Sequence, residues 1–366
     1  MQAHTDGALE YRPLTAYLGG YTEPDRHGRG AGIAVYHVGP NTGAWSPVQT
    51  VAGEQNPSFL ALDPQQRFLY AVHGGNASQV SAFAVDPQDG RLTLLNRQPS
   101  HGANPVYPAI DVTGHWLVLA NYTGQSIAAY PLGEDGRLGE ATDVVVHTGP
   151  LGPNPARQDT PHPHQITWDA AGRFLFVPDL GLDRTYIYRL SDAGRFVAHE
   201  PAFVASPPGS GPRHIAFHPS NTQAYLLHEM GNLLTTFAYD ADRGLLDPRQ
   251  SISTIPPDYA ATTTAAEVAV APSGRFVYAS NRGHDSMAVF AVDQADGTLT
   301  PAEWVPTQGR TPRHFALDPS GRFLYAENQD SDTIITFQID EATGRLTPTG
   351  QVIAAGSPAC IVFAGG

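Results

Sequence analysis

Six copies of an apolar strand-turn-strand unit, a repeat of about 51 residues, and period-two alternation in the strand after each copy together predict an all-β fold, a seven-bladed β-propeller of four-stranded antiparallel blades. The copies read FLALDPQQRFLYA, AIDVTGHWLVLA, QITWDAAGRFLFV, HIAFHPSNTQAYLL, EVAVAPSGRFVYA and HFALDPSGRFLYA. Their turns are anchored at Asp63, Asp111, Asp169, His218, Ala271 and Asp318, so five steps cover 255 residues. That period suits propeller blades and is too long for WD repeats, whose Gly-His and Trp-Asp pairs do not recur.

Taken in chain order, residues 1–14 read as a flexible tail and residues 15–366 as a single propeller domain. The first apolar segments, AYLGGYTE and GIAVYHVGPNTGAWSPVQTV, supply strands two to four of an incomplete blade. In each complete unit, strands one and two flank a turn made by Asp-Pro or Asp-x-x-Gly chemistry. Strand three alternates, as in VSAFAVD, TYIYRL and IITFQID, which marks one buried face. A turn such as PQDGRL or EATGRL then leads to a shorter outer strand, for example TLLNRQP or TPAEWVP. The C-terminal SPACIVFA reads as the missing inner strand of the first blade, which closes the ring and leaves no free blade edge. Seven periods of about 51 residues come to about 357, close to the chain's 366.

Composition narrows the function. A net charge of -14 argues against nucleic acid or an anionic membrane surface as a partner. One cysteine, Cys360, allows no internal disulfide and fits a reducing, cytoplasmic setting. No apolar run approaches the roughly 20 residues that span a bilayer, so a soluble protein without a membrane partner is expected. Neither a Gly-x-Ser-x-Gly elbow nor a Gly-rich phosphate loop before a helix is evident, and no cofactor is implied.

In an antiparallel blade the loops after strand two and before strand one share one face. The first polar residues after strand two read His73, Asn121, Asp179, Glu229, Asn281 and Asn328. Strand one opens with Ser58, Ala109, His164, Arg213, Ala266, Arg313 and Ala359, followed by Phe59, Ile110, Gln165, His214, Glu267, His314 and Cys360. Inner strands line a propeller's axis, so these ionisable groups converge at one mouth of the central channel. Asp179, Arg184, His214, Glu267, Asn281, His284, Arg313 and Asn328 are the expected substrate-binding set there. Arginine forks beside a proton-transfer group suit an anionic substrate. His162 and His164 with Asp179 and Glu229 could hold a cation, but Arg213 and Arg282 beside them would repel it, so no metal is expected.

GPRHIAFHP, PDLGLDR, SNRGHDS and the repeated DPSGRFLYA resemble the seven-bladed propeller lactonase family, from about Tyr17 to the C-terminus. That family includes propeller-type 6-phosphogluconolactonases and fungal enzymes that lactonise 3-carboxymuconate. The resemblance implies a lactone hydrolase acting on a small anionic lactone, 6-phosphogluconolactone being the best match, as a monomer or weak homodimer. It further implies a catalytic set of His164 in HPHQI, Arg213 in GPRH, Glu229 in HEMGN and Arg282 in SNRGH, with Arg313 in TPRH as an alternative second arginine. Glu229 or His164 would then activate water. The other readings are a carboxymuconate-type lactonizing enzyme and a noncatalytic propeller scaffold.

Overall fold

A computed structural model describes residues 14–365. Among them lie 28 strands in seven four-stranded antiparallel sheets and one short 3-10 turn, Pro24–Arg26. The expected tail lies outside the described residues up to position 13. Leu14 belongs to the domain: its carbonyl accepts from the Val38 amide and its side chain is buried with Leu18 and Val38. Ring closure follows the expected route, with Pro358–Ala364 pairing antiparallel to Thr15–Gly20 from Thr15↔Ala364 to Gly20↔Pro358. The inner strands of blades one to six are Pro57–Leu62, Pro105–Ile110, Thr167–Trp168, Pro212–Phe217, Thr264–Val270 and Pro312–Leu317.

The repeat motifs acquire physical roles between blades. The tyrosine of the FLYA-type strand reaches the next blade and donates to a glycine carbonyl in its strand three-four turn. This latch recurs at Tyr17 to Gly90, Tyr70 to Gly136, Tyr225 to Gly297, Tyr278 to Gly344 and Tyr325 to Gly43, at 2.9–3.3 Å. Each such bond contributes about 1 kcal/mol beyond the burial of its ring. Gly90 turns at φ 75°, where a Cβ would lie 3.1 Å from the Tyr17 hydroxyl, so both backbone and contact require glycine. The turn aspartates close their own turns; Asp63 accepts from the Arg67 and Phe68 amides at 2.6 Å. Arg173, Arg275 and Arg322 reach carbonyls of the following blade at Ala241, Ala342 and Pro40.

Strand pairing corrects the expected register twice. In blade two Pro105 faces Asn121, so Val106 and Tyr107, rather than Ala109 and Ile110, stand in line with Ser58 and Phe59. In blade four Pro212 faces His228, so His228 is the partner in register of His73, Asn121, Asp179, Asn281 and Asn328, and Glu229 is one residue further on. That single step matters because successive residues of a strand face opposite sides.

Candidate active site

A β-bulge recurs near the start of the inner strands. The pairing slips between Pro57 and Phe59, Pro105 and Tyr107, Pro212 and His214, and Pro312 and His314, leaving Ser58, Val106, Arg213 and Arg313 as the extra residues. A bulge re-aims a side chain that regular alternation would send into the blade. Two consecutive residues per blade can therefore reach the axis. Ser58 with Phe59, Arg213 with His214 and Arg313 with His314 do so, lining one narrow cavity together with Val106, His164, Glu267 and Tyr21. It joins a wider cavity of about 170 Å³ bounded by Arg26, Tyr122, Arg157, Glu229, Arg282 and Arg313, the two sharing Val106, His164 and Arg313.

Glu229 is the hub of the wider cavity. Its Oε1 accepts from Arg157 Nη2 at 2.5 Å, and its Oε2 lies 3.2 Å from Arg213 Nε and 3.1 Å from Arg282 Nη2. Burial alone would raise this carboxyl, but Arg282, Arg213 and Arg157 more than offset it and hold the group well below the usual carboxylate range. Arg213 is pushed down to about 9 by burial and by Arg282 and Arg313, which leaves it charged at neutral pH. Arg26 and Arg313 flank the Tyr21 ring at 4.8 and 5.3 Å, and neither forms a salt bridge among the described residues. Despite Tyr21's burial, these two cations lower its hydroxyl pKa. All 21 basic residues of the chain are arginine, so charge here is carried by guanidinium forks alone.

A line of buried ionisable groups runs inward from the cavity. His164 Nδ1 is 3.2 Å from His214 Nε2, His214 Nδ1 is 2.9 Å from Glu267 Oε1, and Glu267 Oε2 is 3.6 Å from His314 Nε2. His314 Nδ1 ends the line 2.6 Å from Glu327 Oε1. Burial, then Arg213, His214, Arg313 and Arg282, push His164 well below its ordinary value, so its imidazole is neutral at pH 7. Burial likewise pushes His214 down to about 4, against the pull of Glu267.

The expected residues separate into two groups. His164, Arg213, Glu229, Arg282, His214, Glu267 and Arg313 come together in the joined cavities. Asp179, Asn281 and Asn328 do not: they face into their blades and tie strand two to neighbouring backbone. Asn281 Nδ2 donates to the Thr254 carbonyl and Asn328 Nδ2 to the Thr307 carbonyl, while Asp179 accepts from the His162 amide and bonds His147. Arg184 lies over the Phe203 ring at 4.1 Å, and His284 bonds Ser286 Oγ; neither lines the cavities. The imagined cation set is likewise split, since His162 and Asp179 pair within blade three while Glu229 is held by arginines.

The comparisons with known proteins address this architecture. The family model described as Lactonase, 7-bladed beta-propeller matches residues 15–363. The chain belongs to this lactonase family. It is 34% identical over 300 residues to a 6-phosphogluconolactonase of Bacillus subtilis, covering 82% of this chain and 83% of that one. It is 31% identical over 312 residues to a 6-phosphogluconolactonase of Formosa agariphila, covering 82% and 85%. The solved structure of a periplasmic gluconolactonase from Pseudomonas aeruginosa superposes with a TM-score of 0.89 at 32% identity, covering 96% of this chain and 98% of that one.

Within this lactonase the sequence reading overlooked Arg26, Arg157 and Glu327. Arg26 follows the incomplete blade's second strand and Arg157 sits in a long loop between blades two and three, so neither falls on a repeat position. Glu327 does fall on one. It pairs with His314 as Val72, Ala120 and Leu227 pair with Phe59, Tyr107 and His214, so a carboxylate among apolar equivalents was the available signal.

Proposed function

We propose that the chain is a 6-phosphogluconolactonase, hydrolysing 6-phospho-D-glucono-1,5-lactone to 6-phosphogluconate. The surplus of guanidinium groups over carboxylates in the wider cavity carries this reading, since Arg26 and Arg313 are cations without a salt-bridge partner among the described residues. The names of the Bacillus and Formosa relatives support it. Arg26 and Arg313 would hold the phosphate by charge-assisted bonds. Arg282 and Arg213, oriented by Glu229, would stabilise the oxyanion as water adds to the lactone carbonyl. His164 would take the proton from water, because its imidazole is neutral and half of its hydrogen-bonding capacity is unused. The tetrahedral intermediate then collapses, the ring C–O bond breaks, and His164 gives the proton to the departing ring oxygen; one water is consumed, and the carboxylic acid formed ionises and releases one proton to solvent. Glu229 is less suited to this role, because both of its oxygens are engaged by guanidinium groups, Oε1 by Arg157 and Oε2 by Arg213 and Arg282.

Action as a monomer or weak homodimer is part of the proposal. The buried free thiol of Cys360 suits a reducing cytoplasm. Among the described residues no helix is long and apolar enough to cross a membrane. The test is a proton-release assay on purified protein with phosphorylated sugar lactone, unphosphorylated sugar lactone and carboxymuconolactone. Arg313→Ala should lower kcat/KM for the phosphorylated lactone roughly tenfold to hundredfold, the loss of a bond worth about 1.5–3 kcal/mol, and leave the unphosphorylated one within about threefold. Absence of turnover above background would overturn the hydrolase reading, and equal losses on both sugar lactones would overturn the phosphate assignment.

A further inference from the structure

We propose that His214 and Glu267 are positioning residues that fix the proton of His164 on Nδ1 and so present a bare Nε2 to the cavity. Its catalytic consequence rests on the lactonase mechanism above; the tautomer itself does not. Glu267 starts the argument, because an ionised carboxylate can only accept. Burial would raise it, yet His214, His314 and Arg213 hold it down at about 2. Both its oxygens lie 2.9–3.0 Å from His214 Nδ1, so that nitrogen carries the proton. His214 is neutral, so its Nε2 has only a lone pair to offer. His164 Nδ1 faces that lone pair at 3.2 Å and must be the donor, since the opposite tautomer would oppose two lone pairs. His164 Nε2 is left deprotonated, with no hydrogen-bond partner among the described residues.

The surroundings leave this assignment unopposed. The groups facing His164 are Arg213, His214, Arg313 and Arg282, with the Tyr122 ring edge-on at 5.3 Å; three cations disfavour a second proton. Arg213 Nη1 stands 3.3 and 3.4 Å from the two nitrogens of His214; one of its two N–H groups goes to the Ala266 carbonyl, and the other can be accepted only by a bare imidazole nitrogen, which agrees with His214 carrying its proton on Nδ1 and a lone pair on Nε2. Glu267 is pinned from behind by the Val268 amide at 3.0 Å and by His314, whose pKa is raised by Glu327 and Glu267 despite its burial. Phe59 lies edge-on to His214 and His314 at 6.2 and 5.4 Å, and Tyr107 edge-on to His214 at 5.3 Å, which fixes the imidazoles. Blade repetition does not ask for these ionisable groups: Glu267 stands where other inner strands carry Phe59, Tyr107 and Gln165. Burying carboxylates and imidazoles that the fold could replace with apolar groups costs stability, which points to a use.

The experiment is long-range ¹H–¹⁵N correlation on full-length protein labelled with ¹⁵N-histidine, with His164→Asn assigning the resonance. Wild type should show His164 as one neutral tautomer, protonated on Nδ1, throughout pH 6–8. In Glu267→Ala, and in Glu267→Leu should the alanine variant not fold, neither of which can accept from His214 Nδ1, His164 should relax to a mixture of both neutral tautomers. In the proton-release assay the same variants should lose about 10²–10⁴ in kcat with KM within about threefold. A proton on His164 Nε2 in wild type, or a His164 tautomer unmoved in the folded Glu267 variant, overturns the proposal. A wild type that hydrolyses no lactone yet shows the Nδ1 tautomer would instead overturn the hydrolase reading alone.

Discussion

Replacing Glu229 with glutamine should destabilise the fold before it says anything about proton transfer. The carboxylate is the common partner of Arg157, Arg213 and Arg282, at 2.5, 3.2 and 3.1 Å. An amide keeps the shape but leaves three guanidinium groups without their shared counter-charge, and Arg213 is almost fully buried. Removing one partner of a buried ion pair costs about 3–5 kcal/mol. Arg157 and Arg282 retain some solvent screening, which favours the lower end, about 3 kcal/mol. With about 2.1 cal/mol/K of unfolding entropy per residue over this chain, that is a fall of roughly 4 °C in Tm. The pH dependence has a definite sign. Glu229 is held below its ordinary range, so its contribution is complete above the unfolded value of about 4.3 and fades as acid approaches the folded value. Calorimetry should therefore find the gap between wild type and Glu229→Gln wide at pH 7 and narrower at pH 3.5. Equal melting at pH 7, or a gap that does not narrow in acid, would refute the charge-hub account. A variant that kept full stability but lost about 10²–10⁴ in turnover would make Glu229 the base in place of His164.

Deleting residues 357–366 removes the inner strand that pairs with Thr15–Gly20, and cooperative melting should disappear, because the loss exceeds the roughly 5–15 kcal/mol holding a typical domain. Melting near the wild-type temperature, followed by circular dichroism, would show that the ring does not depend on this closure. Asn328→Ala should cost about 1–3 kcal/mol by stranding the Thr307 carbonyl, with KM unchanged. A tenfold rise in KM without loss of Tm would return Asn328 to the substrate site.

The ring was legible because its motifs act between blades as well as within them. A FLYA tyrosine and a turn glycine recur together since each latch joins one blade to the next, so the spacing of the motifs carries the topology. The site was legible only in part. Residues on an inner strand or just ahead of one, such as Arg213, Glu267 and His164, could be placed from register alone. The polar ring of Asp179, Asn281 and Asn328 misled for a physical reason: in a buried blade the end of strand two also needs side chains to satisfy stranded backbone groups, an amide at Asp179 and carbonyls at Asn281 and Asn328, and those residues look no different from ligands in a sequence. The bulges are equally invisible, yet they bring neighbours such as Arg213 and His214 to the same side. Arg26 and Arg157 come from segments outside the repeat, where no register exists to place them.

Seven inner strands meeting at one axis create a problem that an apolar protein solves by filling the space and that this one leaves charged. Arg157, Arg213, Arg282, Arg313 and Arg26 crowd a cavity of about 170 Å³ and its narrow extension around one hub carboxylate. Burial, together with repulsion from Arg282 and Arg313, depresses Arg213, and an anion bound beside these groups would offset that repulsion. Glu229 offsets part of that positive charge through Arg157, Arg213 and Arg282, while Arg26 and Arg313, without a salt bridge among the described residues, are the pair proposed to meet the anion. Burial and the same cations keep His164 unprotonated, so in the proposed scheme the charges that would attract an anionic lactone also leave an unprotonated base to open it. On this proposal binding and proton transfer would be set by one distribution of charge.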